Sequence, residues 1–286
     1  MTVVKVRISV VTPNFNMAPY LGETISSVLR NLSPGDEYIV VDGGSTDGSV
    51  EVIRRHEKDL THWISERDDG YAHAIAKGFR RASGDLLCWI NAGDLLLDGA
   101  LAKVRELFGA GDIDMVFGDD FYIDEKSRVV RLSRGFVKNL PAAMLHGGWT
   151  PLQDACFWTR DIYQRVGGID PNLCLAADYD LFLRIAREGR TRHVPFVFSA
   201  FRRHPGQKSS DASGYAKERE QVRRRELTGA GEGALAAFVK RQFHLNAGRM
   251  RAWIAPRVRP RRDLEGRPVA ELHCARYWPP ADGEAS

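Results

Sequence analysis

Along residues 8–189, short apolar runs alternate with longer stretches whose apolar positions recur every three or four residues. Tyr38–Val41 is an uninterrupted aromatic and β-branched run, the pattern of a strand buried on both faces, and Ile8–Val11 reads as a first strand of similar kind. Between them, Leu21, Ile25, Val28, Leu29 and Leu32 share one face of a helix predicted over Tyr20–Leu32. A second helix is predicted to begin near Ser49, with Ser45, Thr46 and Asp47 as candidate caps. A glycine-bearing helix over 70–78 follows, then apolar strands at Asp85–Ile90 and Met115–Phe117. Leu181, Phe182, Ile185 and Ala186 mark a later amphipathic helix that ends near Gly189. Beyond Asp211 the pattern changes to a highly charged helix over Tyr215–Leu227 and an amphipathic one over Glu232–His244.

The polar residues that close the apolar runs carry the chemistry. Asp42 stands where the second strand ends, followed by Gly43 and Gly44. In open α/β sheets ligands bind outside the carboxyl ends of strands, where an acidic residue can accept hydrogen bonds from a ribose or a base and glycines permit close backbone approach. The first strand ends in Thr12-Pro13-Asn14-Phe15-Asn16, and Ser65–Asp94 reads SERDDGYAHAIAKGFRRASGDLLCWINAGD. Taken in order, these segments resemble the family 2 glycosyltransferases, most closely bacterial members that build surface polysaccharides. The resemblance spans roughly residues 7–210.

Beyond Asp211 the charged and amphipathic patterns predict a basic, mostly helical C-terminal extension over 212–286, with a disordered end at Pro279–Ser286. The resemblance implies, for the rest, a glycosyltransferase A-type (GT-A) fold: an α/β domain with a mainly parallel central sheet flanked by helices. It divides that domain into a nucleotide-binding half over 1–98 and an acceptor-binding half over 99–211. It implies inverting transfer of a sugar from a UDP-, GDP- or dTDP-linked donor to a hydroxyl of a glycan or lipid-linked glycan. Thr12, Pro13, Asn14, Asp42 and Asp69 would frame the nucleoside, with Asn91 and Gly93 beside them. Asp94 matches the family's metal ligand, for Mn2+ or Mg2+, with His204 as a further candidate. Asp178 matches the general base. It is two residues from Asp180, so only one of the pair is expected to face the cleft. Asp154 and Trp149 are candidates for acceptor contact. Arg202, Arg203 and Lys208 lie in a stretch, Phe201–Ser210, expected to be a mobile loop that closes over the diphosphate. Asp119 and Asp120 are expected to close a strand near the active edge.

Two departures from the family pattern alter the expected site. Asn91 and Gly93 stand where acids are common, which thins the carboxylate shell around a cation. Ala76 and Ile75 stand where Asn and Arg are often found, so a base or phosphate contact made there must come from elsewhere, with Lys77 or His73 as candidates.

Composition restricts the class further. The chain has 286 residues, 43% hydrophobic, enough for one large α/β domain and an appendage. A net charge of +4 gives no reason to expect nucleic-acid binding. Cys88, Cys156, Cys174 and Cys274 lack metal-type spacing and read as thiols in a reducing compartment. There is no signal-peptide pattern and no apolar stretch of membrane-span length, so a cytoplasmic location is expected. The basic and aromatic residues of 235–262 suit contact with the inner face of the plasma membrane, and a packing helix or homodimer contact explains them equally. A nucleotidyltransferase would carry a glycine- and arginine-rich loop after the first strand, and a dinucleotide oxidoreductase a GxGxxG; neither is present. A nucleotide-sugar-binding protein of the same fold with weakened catalysis is the remaining alternative.

Overall fold

The computed structural model describes residues 6–135, 137, 139–205, 207, 211–229, 263–275 and 277. Its strands are β1 (Ile8–Asn14), β2 (Glu37–Asp42), β3 (His62–Ser65), β4 (Leu86–Trp89), β5 (Leu95–Leu96), β6 (Met115–Ile123), β7 (Val129–Ser133), β8 (Cys156–Thr159) and β9 (Thr191–Arg202). The helices are α1 (Ala18–Leu29), α2 (Ser49–Arg55), α3 (Tyr71–Phe79), α4 (Ala100–Gly109), α5 (Leu140–Gly147), α6 (Arg160–Arg165), α7 (Ala177–Glu188) and α8 (Ala212–Gly229). The strands form one sheet in the order β3-β2-β1-β4-β8-β6-β9-β5, with β7 added to β6. Pairing is parallel from β3 through β4, as the apolar runs predict, but β8 runs antiparallel to both β4 and β6, and β5 to β9. The second half of the sheet is therefore mixed.

Alternation along the strands separates two cores. Val11, Ile39, Val41, Leu87 and Trp89 pack on the face covered by α3, α5 and α7, while Ile8, Val10, Tyr38, Val40, Leu86 and Cys88 face α1, α2 and α4. Helix α3 lies very close to β1: a Cβ on Gly78 would stand 2.4 Å from Val11 Cγ1. A third, smaller core lies at the far end of the sheet, where Leu264, Val269 and Leu272 cover Leu95, Leu97, Phe121 and Ile123. The segment 263–275 thus straps the sheet through bridges at Asp98–His273, Arg128–Pro268 and Val197–Ala275. It contains one short 3-10 turn, Val269–Glu271. The expectations for 235–262 and for Pro279–Ser286 lie outside the described residues.

Two local expectations differ from the fold. Asp119 and Asp120 lie inside β6 rather than at its end, and both are buried. Phe201 and Arg202 are the last residues of β9, so the irregular segment after it begins at Arg203.

Candidate active site

A cavity of about 690 Å3 opens along the carboxyl ends of β1, β2 and β4 and extends to the start of α7. Its walls include Pro13, Asn14, Gly43, Asp69, Asn91, Gly93, Asp94, Asp178, Arg202 and His204. Residues drawn from positions as distant as 13 and 204 are thus brought together around one space of a size typical for a small-molecule site.

At the nucleotide end, Asp42 is fully buried and organises the turn behind the wall. Its carboxylate accepts from Asn14 Nδ2 (2.6 Å), Ser45 Oγ (2.5 Å), Ser65 Oγ (2.6 Å) and the backbone N–H groups of Gly44 (3.2 Å) and Ser45 (3.0 Å). Burial raises its pKa, but the hydrogen bonds from Ser45, Ser65 and Asn14 outweigh this and hold the carboxyl below its ordinary range. Strand β1 lies between β2 and β4, so Asp42 and the Asn91–Asp94 turn are not at the ends of neighbouring strands. Asn14, at the end of β1, stands between them. Thr12 is buried, with its hydroxyl 3.0 Å from the Tyr38 hydroxyl, and neither it nor Asp42 lines the cavity. Pro13, Asn14 and Asp69 do. A Cβ on Gly43 would stand 2.8 Å from Asp68 Oδ2, so glycine there admits the Asp68 side chain.

Neither replacement cation suggested for α3 reaches free into the cavity. Lys77 is buried and paired with Glu66 at 2.9 Å, and His73 pairs with Asp69 at 3.2 Å. Arg67, exposed on the loop before α3, lines the wall instead.

The Asn91–Asp94 turn forms the floor. Gly93 has φ +110°, a conformation other residues rarely adopt, and a Cβ there would meet Met17 Cε at 2.9 Å. Asp94 Oδ1 accepts the Arg202 backbone N–H at 3.0 Å, whereas Oδ2 receives only a long 3.3 Å contact from Asn91 Nδ2. Burial first, then the neighbouring Asp154, pushes the Asp94 carboxyl well above the usual carboxylate range. Gln153 links this floor to β4, accepting from Asn91 Nδ2 (2.7 Å) and donating to the Trp89 carbonyl (2.8 Å).

Among the described residues no cluster of three or more His, Cys, Asp or Glu side chains could hold a metal ion. One carboxylate oxygen with a carboxamide beside it still fits a divalent cation that takes most of its ligands from a substrate diphosphate and water. The donor chemistry at Asp94 and Asn91 is compatible with that kind of site. His204 lines the same cavity, its Nδ1 2.9 Å from the Pro205 carbonyl and its ring against Tyr20 at 5.5 Å.

Three candidates lie differently from expectation. Arg202 is 1% exposed, and its guanidinium is committed inward: Nε donates to the Gly93 carbonyl (2.7 Å), one terminal nitrogen to the Asp124 and Glu125 carbonyls and Ser127 Oγ, and the other to Glu23 (2.7 Å). With its donors so engaged, it braces the floor rather than closing over a diphosphate. Asp154, in the 3-10 turn Gln153–Ala155, is buried behind Asp94 and does not line the cavity; burial pushes its carboxyl up to about 6. Trp149 is also absent from the wall, because its ring packs against Phe117 at 6.1 Å and joins the core. Arg203 is exposed above the Tyr122 ring, and Lys208 lies outside the described residues.

At the acceptor end Asp178 occupies the first turn of α7 and lines the cavity. Burial pushes its carboxyl up to about 6, against hydrogen bonds that lower it. Asp180 instead points into the protein, fully buried, and accepts from Arg184 and Arg225. The two acids are thus divided as their spacing requires. Sequence reasoning missed several wall residues: Phe15, Arg67, Tyr71, Gln153 and Tyr215. Phe15 stood inside a noted motif and is 61% exposed; Tyr215 stood in a segment read only as a charged helix.

Comparison with known proteins bears on the family and the fold. The family model described as glycosyl transferase family 2 matches residues 9–166, more than half of the chain. An uncharacterized glycosyltransferase of Mycobacterium tuberculosis is 32% identical over 182 residues, covering 63% of this chain and 68% of the relative. A Bacillus subtilis protein, TuaG, provisionally assigned to teichuronic acid biosynthesis, is 35% identical over 109 residues, 37% of this chain and 43% of its own. Among solved structures, S. aureus TarS in complex with UDP-GlcNAc has a TM-score of 0.62 at 14% identity, covering 76% of this chain and 65% of that one. The mannosyltransferase PcManGT of Pyrobaculum calidifontis, in complex with GDP-Man and Mn2+, has a TM-score of 0.60 at 20% identity, covering 77% and 64%. The chain spans slightly under two thirds of both solved chains, and at these identities the likeness establishes the GT-A fold alone. No helix among the described residues is long and apolar enough to cross a membrane. By the extent and position of the family match, this chain belongs to glycosyl transferase family 2.

Proposed function

We propose that the protein transfers a sugar from a nucleoside diphosphate donor to a hydroxyl of a glycan or lipid-linked glycan in polysaccharide biosynthesis. The observation that carries this reading is that Asp94 and Asp178, from opposite halves of the chain, line one cavity continuous with the β1 and β2 strand ends. TuaG and the nucleotide-sugar complexes of the structural neighbours support the substrate class.

In the proposed reaction Pro13, Asn14, Asp69 and the turn held by Asp42 receive the nucleoside. Asn91, Gly93 and Asp94 lie below the diphosphate, and Asp94 with Asn91 would hold a Mn2+ or Mg2+. When bound, that cation supplies positive charge to the leaving diphosphate. Asp178 takes the proton of the acceptor hydroxyl as that oxygen bonds to the anomeric carbon. The bond from the anomeric carbon to the diphosphate oxygen breaks at the same time, and the nucleoside diphosphate departs. A single displacement of this kind inverts the anomeric centre. It needs one base and no protein nucleophile. The elevated pKa of Asp178 suits the role, since a carboxylate drawn out of water is a stronger base once ionised.

The test pairs a nucleotide screen with one variant. Binding to the native state raises Tm, so UDP, GDP and dTDP are compared with and without Mn2+. Asp178→Asn is expected to keep the nucleotide-induced Tm shift while lowering transfer by at least about a thousandfold, at the upper part of the range for general-base loss. Unreduced transfer by this variant would refute the base assignment. A Tm response that Asp94→Ala leaves fully Mn2+-dependent would refute the metal assignment. The thin carboxylate shell at Asn91–Asp94 favours one rival, a nucleotide-sugar-binding protein without catalysis. A nucleotide-induced shift with no turnover of donor in the wild type would select it.

A further inference from the structure

Helix α8 lies beyond the family-matched segment, yet its side chains converge on the loop that introduces α7. Glu218 accepts three consecutive backbone N–H groups, from Cys174 (2.8 Å), Leu175 (2.6 Å) and Ala176 (2.5 Å). Helix α7 has no side-chain cap of its own at Ala176; Glu218, some forty positions away, instead holds the backbone that leads into it. The Tyr215 hydroxyl, one turn earlier on α8, lies 3.5 Å from Asp178 Oδ1 and 3.2 Å from Thr150 Oγ1. Arg225, further along the helix, reaches Asp180, and Arg219 donates to the Gly148 carbonyl at 2.6 Å. From the opposite side the Tyr71 hydroxyl donates to the Leu175 carbonyl (3.0 Å) and accepts the Ala177 N–H (3.1 Å).

We propose that α8 supplies two positioning residues for the acceptor-side carboxylate: Glu218 fixes the backbone that carries Asp178, and the Tyr215 hydroxyl orients its carboxylate toward the cavity. This rests on the reading of Asp178 as the base. The arrangement is more than structural support because Tyr215 touches the carboxylate itself and also forms part of the cavity wall. A charge-bearing group so placed is held within the narrow angular range that proton transfer demands. The titratable groups facing Asp178 are Tyr215 and Glu218 from α8, Tyr71 from α3 and Cys156 from β8. Of these, Tyr215 is the one with a hydrogen bond to the carboxylate that lowers its pKa, whereas the charge of Glu218 raises it.

The test is read without substrate, on the full chain labelled with 13C at aspartate carboxyls, the Asp178 signal being assigned by its loss in Asp178→Asn. Removing a hydroxyl that donates to the ionised form disfavours ionisation. Tyr215→Phe is therefore expected to move the Asp178 midpoint upward by about half a pH unit. General loosening of the site would instead admit water and move it down. Glu218→Ala is expected to speed amide exchange of Cys174, Leu175 and Ala176 about tenfold, with β1 amides still protected as evidence of an intact fold. Glu218→Gln, which keeps an acceptor oxygen, should restore part of that protection. A midpoint that stays put or falls in Tyr215→Phe, or unchanged exchange at 174–176 in Glu218→Ala, overturns the proposal. Loss of the base reading is a separate result, since unreduced transfer by Asp178→Asn leaves these titration and exchange results untouched.

Discussion

Asp178 sits where a carboxyl ionises reluctantly, and the sign of that effect fixes two expectations. With its pKa raised to about 6, the base form is lost as pH falls through 6. The acid limb of kcat/KM should therefore lie near pH 6, with activity dropping about tenfold per unit below it. The same shift opposes folding. In the unfolded chain the group ionises near 4, so its cost to stability is absent below about pH 4, grows between 4 and 6, and is complete above. Asp178→Asn should be more stable than wild type above pH 6, by about 1 kcal/mol once the cleft's solvent is allowed for, and equal to it near pH 4. Urea unfolding at both pH values measures this. Arg202 has the opposite character. Arg202→Lys cannot serve the Gly93 and Asp124 carbonyls and Glu23 together and should cost about 3 kcal/mol, read as a fall in Tm.

Among the elements, α3 shows how closely the fold and the site are joined. Gly78→Ala places a methyl against Val11 and should cost about 1–3 kcal/mol through overpacking. Because the N-terminus of α3 carries Asp69 and Tyr71 into the cavity, nucleotide affinity should fall along with Tm. The elements of this half were legible in the sequence for a physical reason. Strands buried on both faces must be continuous apolar runs, and the turns at Asn14, Asp42 and Gly93 are local chemistry. The later elements were harder to read. Asp119 and Asp120 break the apolar pattern of β6 yet are buried, and Asp119 is held by contacts with His193 and Gly135 that no local pattern reveals. Glu218 and Tyr215 sit in a segment whose sequence reads only as a highly charged helix. Their partners are some forty residues away, so the contacts exist only once α8 has docked on α7.

For the molecule as a whole, the strap over 263–275 closes the exposed end of the sheet. Ending the chain after Arg262 uncovers Leu95, Leu97 and Phe121 and removes the buried Leu264, Val269 and Leu272, a loss of about 3–5 kcal/mol that a Tm comparison would detect. Nothing in the sequence of this segment indicated its return to the sheet, since pairing across such a distance leaves no periodic trace. The inward knot at Arg202 has a further consequence, and it concerns time. The guanidinium ties β9 to the Asn91–Asp94 turn, to α1 through Glu23 and to the β6–β7 connection at once. One bank of the cleft is thereby made still, so any opening that lets a spent nucleotide leave falls to the other bank. Relaxation dispersion should find microsecond-to-millisecond exchange at 66–70 and none at 91–94 or 200–202. If product escape limits turnover, its pace is set on the side that Arg202 does not hold.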